Sequence, residues 1–387
     1  MIPYSRQLIS KSDIASVNKV LKSDFLTQGP NKKKFENLLS KTCGVKYSST
    51  FNSATSALHI ACLALGVGRG DEVWTCTNSF VASANCALYC QAKIDLVDID
   101  PSDFNMCMES LEKKLSKAKK RNKLPKVIIP IHFGGLPPNL KKLKELKKKY
   151  KFKIIEDASH SIGGMYLNKR VGDCSYSDIT VFSFHPVKII TTAEGGAALT
   201  NNKKIYQKLN QLGAHGITRD NKFLNNKKKD KWYYEHQALG YNYRLNDIQS
   251  ALGITQLKNL NKWVKTRNRI ARNYIKSFKD LPLDFQKIEK GLVSAYHLFV
   301  IVLRKNKKKI TRDKIYKHLK KNNILTNVHY IPIHKQPFFQ QYKFKKKDFI
   351  NAEYYYENCL SLPMFAGLKM NSQKKVIRIV RNLFIKN

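Results

Sequence analysis

The stretch ITVFSFHPVKIITTAEGGAALT, residues 179–200, holds the reading on which the fold turns. Residues 179–184 and 196–200 are short runs of apolar and β-branched residues, the composition of strands buried on both faces. Between them stand Pro186, then Lys188 in the apolar company of Val187, Ile189 and Ile190, then the pair Gly195 and Gly196, which lets another backbone come close. A strand, an isolated lysine and a returning strand predict a reactive amine carried on the rim of a sheet.

The same pattern repeats outward. Runs at 73–75, 94–97, 127–131 and 154–156 read as further strands, and 55–65, 80–89, 109–118, 138–150 and 202–212 read as helices, the first stopping at Gly66. Strands alternating with helices predict an α/β fold with a mostly parallel sheet, a large domain over residues 15–245 after an N-terminal arm of 1–14. Lys46 to Thr50 is too polar for an ordinary buried strand, so its register is open. Beyond Asn246 the order changes to helices at 247–260 and 263–278, a strand at 296–303, a helix at 311–320, a strand near Leu325 and helices near 351–360 and 373–384. These predict a smaller C-terminal α+β domain, 246–387. The polar stretch 220–231 reads as an exposed loop.

Composition narrows the classes. The 387 residues, 42% hydrophobic and 11% aromatic, are those of a folded globular chain rather than a disordered or collagen-like one. No apolar run reaches the ~18 residues of a membrane helix, and the N-terminus lacks a secretory layout, so a soluble, cytoplasmic protein with no membrane partner is expected. The formal charge of +43 invites a nucleic-acid role, yet 58 of the 71 basic residues are Lys and 13 are Arg, in runs such as 32–34, 147–149, 307–309 and 345–347. Base recognition favours the planar fork of Arg, so the surplus reads as solvated faces whose field suits an anionic small substrate, with no nucleic acid. A basic nucleic-acid-binding protein with a vestigial cofactor site is the distant alternative. Eight cysteines without a CxxC pair or zinc spacing predict packed, reduced thiols and no metal site.

Chemistry-bearing residues fall where strands run out into loops, the ligand-binding edge of an open α/β sheet. Ser53, Ala54 and Thr55 precede the helix at 55–65, and hydroxyls with free amides at a positive helix end make a phosphate cradle; an ordinary N-cap reads the same way. Asp157 ends the strand at 154–156 and either pairs with a protonated ring nitrogen or caps the next turn. Phe80 either stacks on a ring or packs in the core. Lys188, desolvated by its neighbours, is suited to forming a Schiff base. A lysine, an aspartate, an aromatic ring and a phosphate cradle are together the parts of a pyridoxal phosphate site.

The segments 182–188, 156–160, 52–58 and 240–247 (GYNYRLND) resemble the DegT/StrS-type sugar-nucleotide aminotransferases over essentially the whole chain, and residues 1–7, 25–30 and 81–90 resemble the branch that serves pseudaminic acid synthesis. The resemblance implies a fold type I pyridoxal phosphate-dependent transferase that aminates C4 of UDP-2-acetamido-2,6-dideoxy-β-L-arabino-hex-4-ulose with glutamate as donor. A C3 or C4 aminotransferase acting on a dTDP- or GDP-linked keto sugar is the nearer alternative. The resemblance makes Lys188 the Schiff-base lysine and proton shuttle, pairs Asp157 with the pyridine nitrogen, stacks Phe80 on the ring and sets His160 near the ring hydroxyl. It gives the phosphate to Ser53, Ala54, Thr55 and Ser183, with Asn242 reaching it from the second subunit of a homodimer. Tyr4, Arg6, Thr27, Gly29 and His329 fall on the sugar-nucleotide side; His329 reads equally as a loop histidine bonded to backbone.

Overall fold

In the computed structural model, which describes residues 1–226, 230 and 232–385, seven strands form the central sheet. They are β1 (Tyr47–Phe51), β2 (Glu72–Cys76), β3 (Lys93–Val97), β4 (Val127–Ile129), β5 (Lys153–Asp157), β6 (Ile179–Ser183) and β7 (Gly196–Thr200). Their order across the sheet is β1-β7-β6-β5-β4-β2-β3. The pairs among β2, β3, β4, β5 and β6 are all parallel, while β7 runs antiparallel to both β6 and β1. The sheet is mostly parallel, as the short apolar runs predict. β1, β2, β5 and β6 therefore end on one edge, and β7 begins there.

The polar strand β1 is buried nevertheless, because each of its serine and threonine hydroxyls has a partner. Ser48 donates to the Glu36 carbonyl at 2.6 Å, Thr50 donates from both N and Oγ1 to the Glu36 carboxylate at 2.9 and 3.0 Å, and Ser49 meets Asn210 at 3.2 Å. A buried polar group costs little once bonded. Local hydropathy carries no trace of a partner supplied by another element.

Helices α1 (Lys11–Leu21), α2 (Pro30–Cys43), α3 (Ala54–Ala64), α4 (Ala82–Tyr89), α5 (Met108–Lys120), α6 (Leu140–Tyr150) and α7 (Lys203–Leu212) connect and cover these strands. α6 shows the rule that shapes the outer helices: Leu140, Leu143, Leu146 and Tyr150 are buried at helical spacing while its lysines lie off that stripe. α3 has no such stripe, since seven of its eight buried positions run without a break from Ser56 to Cys62 and it lies within the core. The helix expected at 80–89 starts only at Ala82, which leaves Phe80 on a loop.

After α8 (Asp247–Lys258) and α9 (Leu260–Phe278), strands β8 (Leu283–Phe285), β9 (Phe299–Leu303) and β10 (Cys359–Leu362) form an antiparallel sheet in the order β8-β9-β10, packed with α10 (Arg312–Lys321), α11 (Ile350–Asn358) and α12 (Met370–Ile385). The strand expected near Leu325 does not form. The chain there makes only single bridges, Ile324 to Ile2 and Asn327 to Ser361, before it turns across the large sheet. Of the expected loop at 220–231, Leu224 is buried, and 227–229 and 231 lie outside the described residues. All eight cysteines are free and buried. No described helix is long and apolar enough to cross a membrane, and no described cluster of His, Cys, Asp or Glu is suited to a metal ion.

The N-terminal arm is tied to both ends of the chain's site-bearing parts. The Ile2 amide donates to Asn323 O, and the Ser5 hydroxyl donates to the Val187 carbonyl at 3.2 Å, next to Lys188. Asp13, buried on α1, accepts from Gln256 Nε2 at 2.9 Å, and the same Gln256 accepts from the Thr191 amide at 3.2 Å. This relay holds the far end of the lysine loop against α8.

Candidate active site

The edge where β1, β2, β5 and β6 end opens into a cavity of about 460 Å³. Its floor is made of strand continuations. From β1 come Ser53, Ala54 and Thr55; from β2, Ser79 and Phe80; from β5, Asp157, Ser159 and His160; from β6, Ser183 and Lys188. Tyr4 closes it from the arm, and His297, His329 and Tyr330 close it from the C-terminal part. A wider depression of about 1290 Å³, lined by Phe223, Asn225, Asn226 and residues 233–237, contains none of these groups.

Ser53 caps α3, its Oγ accepting from the Ser56 amide at 3.1 Å, so the N-cap reading is correct as far as it goes. The amides of Ala54 and Thr55 come first in the helix and have no intrahelical acceptor, which leaves them and the helix dipole to an anion in the cavity. Gly196 makes this position possible. A Cβ there would stand 2.5 Å from Ala54 N and 2.6 Å from the Ser53 carbonyl carbon, so only glycine lets the helix start settle against β7.

Lys188 follows the buried strand end on a turn closed by its amide donating to His185 O at 2.9 Å. Burial lowers its amine from the usual 10.5 to about 8, while the Asp157 carboxylate pulls the other way. Removing an ammonium from water disfavours its charged form, and the result is an amine with a far larger neutral fraction near physiological pH than an ordinary lysine has.

Asp157 is buried, and both its oxygens are engaged from the protein side: Oδ1 accepts from the Ser159 amide at 3.1 Å and Oδ2 from Ser83 Oγ at 2.6 Å. Burial, chiefly, and the nearby Lys188 hold His160 and His297 well below the ordinary histidine range and His329 at about 3, so these three rings are neutral. His160 Nε2 meets Tyr330 Oη at 3.0 Å, its ring lies 4.3 Å from that of His297, and His329 Nδ1 meets Ser361 Oγ at 2.8 Å. Phe80 is 58% exposed on the cavity rim, far too open for a core residue, with its ring 6.2 Å from that of Tyr330.

Ten of the fourteen residues singled out from sequence thus line one cavity: Tyr4, Ser53, Ala54, Thr55, Phe80, Asp157, His160, Ser183, Lys188 and His329. Thr27, Gly29 and Asn242 do not line it. Arg6 is exposed and borders a small separate cleft behind Lys188. Gly29 is engaged structurally, its amide donating to Asp247 Oδ2 at 2.7 Å ahead of α2. Asn242 is exposed, beside Tyr243, whose carbonyl accepts from the Asn52 amide at 2.8 Å. Sequence reading missed Ser83, His297 and Tyr330. Only the run around Ser83 carried a signal, through the resemblance of residues 81–90; nothing local marks the other two.

The residues present fit pyridoxal phosphate. Free helix amides and hydroxyls suit the phosphate, a lysine amine whose pKa burial has lowered suits the aldehyde, a buried carboxylate suits a protonated ring nitrogen, and an open aromatic face stands at the rim.

Comparison with known proteins agrees. Residues 7–381 match the DegT/DnrJ/EryC1/StrS aminotransferase family. The chain is 37% identical, over 97% of its length and 96% of the relative's, to UDP-4-amino-4,6-dideoxy-N-acetyl-beta-L-altrosamine transaminase of Campylobacter jejuni. It superposes on Helicobacter pylori PseC, an aminotransferase involved in pseudaminic acid biosynthesis, with a TM-score of 0.89 and 34% identity, covering 99% of both chains. Spr1654 of Streptococcus pneumoniae, named a sugar aminotransferase and solved in its PLP-form, matches with a TM-score of 0.87 and 27% identity, covering 97% of both chains. This chain belongs to the DegT/DnrJ/EryC1/StrS aminotransferase family and is a pyridoxal phosphate-dependent sugar aminotransferase.

Proposed function

We propose that this enzyme moves the amino group of glutamate to C4 of UDP-2-acetamido-2,6-dideoxy-β-L-arabino-hex-4-ulose, in pseudaminic acid biosynthesis. The observation that carries the chemistry is the Lys188 amine, lowered to about 8, sharing one cavity with Asp157 and the start of α3. The likeness to the Campylobacter transaminase and to Helicobacter PseC supports the acceptor. When bound, pyridoxal phosphate supplies the electron sink that makes a carbanion at the donor's Cα accessible.

The chain's own residues supply the rest. Lys188 would hold the coenzyme's aldehyde, and its amine, with a pKa near working pH, would serve as base toward Cα of glutamate and as acid toward C4 of the sugar. Asp157 keeps the ring nitrogen protonated, Phe80 covers the ring, and His160, neutral and braced by Tyr330, stands near the ring hydroxyl. Ser53, Ala54, Thr55 and Ser183 bind the phosphate.

Asn242 of the partner subunit completes the phosphate site in a homodimer; its exposure outside its own chain's cavity supports this, as do the exposed Trp232 and Leu239, 68% and 79% accessible. Tyr4, Arg6, Thr27, Gly29 and His329 serve the sugar-nucleotide side. The surplus of Lys suits the diphosphate of that substrate.

The test is a one-pot reaction of enzyme, glutamate and the UDP-4-ulose, followed by release of 2-oxoglutarate and by NMR of the product. An amine at C4 is expected. An amine at C3, or turnover with dTDP- or GDP-linked keto sugars only, refutes this acceptor.

A further inference from the structure

Asp157 is held by a serine that no resemblance assigned. Ser83, on the first turn of α4 and wholly buried, donates to Asp157 Oδ2 at 2.6 Å. Behind it Ser79 Oγ lies 3.0 Å from Ser83 Oγ and equally 3.0 Å from the Phe80 carbonyl. A serine has one proton. Since that of Ser83 is committed to a carboxylate, the contact with Ser79 is made by the Ser79 proton, which the Phe80 carbonyl also competes for. The hydroxyl chain therefore joins the loop carrying Phe80 to the carboxylate of β5.

The physical consequence concerns orientation. A carboxylate on a strand end is free about its last torsions, which are broad wells rather than sharp rotamers. The Ser159 amide restrains Oδ1 alone; a second donor on Oδ2 fixes the plane. A short hydroxyl-to-carboxylate bond is among the stronger neutral-to-charged hydrogen bonds, and Ser83 sits in a helix packed in the core, so its position is set by the fold and not by the ligand.

We propose that Ser83 is a positioning residue that locks the Asp157 carboxylate plane for the coenzyme's ring nitrogen, with Ser79 coupling it to the Phe80 loop. This rests on the reading of Asp157 as the ring-nitrogen partner.

The test uses the full-length protein stripped of coenzyme and titrated with pyridoxal phosphate by quenching of tryptophan fluorescence, together with the visible circular dichroism per bound coenzyme and the apoprotein's thermal midpoint. Ser83→Ala removes the hydroxyl; Ser83→Cys refills the volume with a weak donor. The Kd for pyridoxal phosphate is expected to rise roughly tenfold in both variants, the loss of a bond to a charged group. The visible dichroism is expected to fall in both, kcat to fall with KM for glutamate unchanged, and the apoprotein midpoint to stay near wild type.

Wild-type affinity and dichroism in both variants overturn the proposal. So does a defect in Ser83→Ala that Ser83→Cys repairs, which would make the residue a packing element, and so does failure of both to fold. Asp157→Asn separates the underlying reading: if that variant binds the coenzyme with wild-type affinity and dichroism, the role of Asp157 itself is wrong, whatever Ser83 does.

Discussion

Gly196→Ala tests the cradle through packing alone, with no functional group removed. The new methyl would lie 2.5 Å from Ala54 N and 2.6 Å from both Ala54 Cα and the Ser53 carbonyl carbon, all backbone atoms, where ordinary contact begins near 3.4 Å. The gap must open by about 1 Å. β7 cannot supply that movement, since Gly196 is paired to Phe51 on one side and Ser183 on the other. The start of α3 must therefore lift, carrying with it the Ala54 and Thr55 amides.

Overpacking of this kind costs ~1–3 kcal/mol of stability. Displacing amides from a doubly charged group costs ~1.5–3 kcal/mol of binding, a tenfold to hundredfold rise in the Kd for pyridoxal phosphate. Fluorescence titration of the apoprotein measures it. Gly68→Ala is the control, because a Cβ there meets nothing within 4 Å. If Gly196→Ala bound the coenzyme as tightly as Gly68→Ala, the helix start would not be where the phosphate is held.

Other expectations are independent of that one. Lys188→Ala should abolish turnover and remove the visible absorbance band that borohydride bleaches in wild type; residual full activity would remove Lys188 from the chemistry. With an amine lowered from 10.5 to about 8, the neutral fraction grows through pH 8, so capture of pyridoxal phosphate by the apoprotein should climb about tenfold per pH unit below 8 and level off above it, whereas a climb continuing to pH 10 would mean an unperturbed lysine. Mixing the inactive variants Lys188→Ala and Asn242→Ala should restore part of the activity if each site draws on two subunits, and no recovery after subunit exchange would argue for sites complete within one chain. Arg267, fully buried, donates from Nη1 to the carbonyls of Tyr296, His297 and Met364 at 3.1, 3.4 and 3.0 Å; Arg267→Met strands all three and should cost ~3 kcal/mol or more in a denaturant titration.

What the chain spells out locally is the alternation and the reactive loop. Apolar runs at 154–156 and 179–184, each read against its polar or glycine punctuation, suffice to predict a parallel sheet, because burial on both faces leaves no polar alternation to hide. Lys188 stands out for the same reason: three of its nearest neighbours are branched aliphatics, in a chain whose other lysines gather in polar runs. Ser53 to Thr55 and Asp157 follow from where they sit relative to strand ends.

Tertiary structure decided everything that depends on a partner distant in sequence. β1 is a strand despite its serines because Glu36 and Asn210 arrive to bond them. Residues near Leu325 are not a strand because the arm takes one side and the chain is drawn over the cavity. Ser83 meets Asp157 across 74 positions and Tyr330 meets His160 across 170. Periodicity reports which face of an element is buried; it carries no information about which polar atom waits on the other side, and a hydrogen bond between two elements exists only once the sheet order has set them side by side.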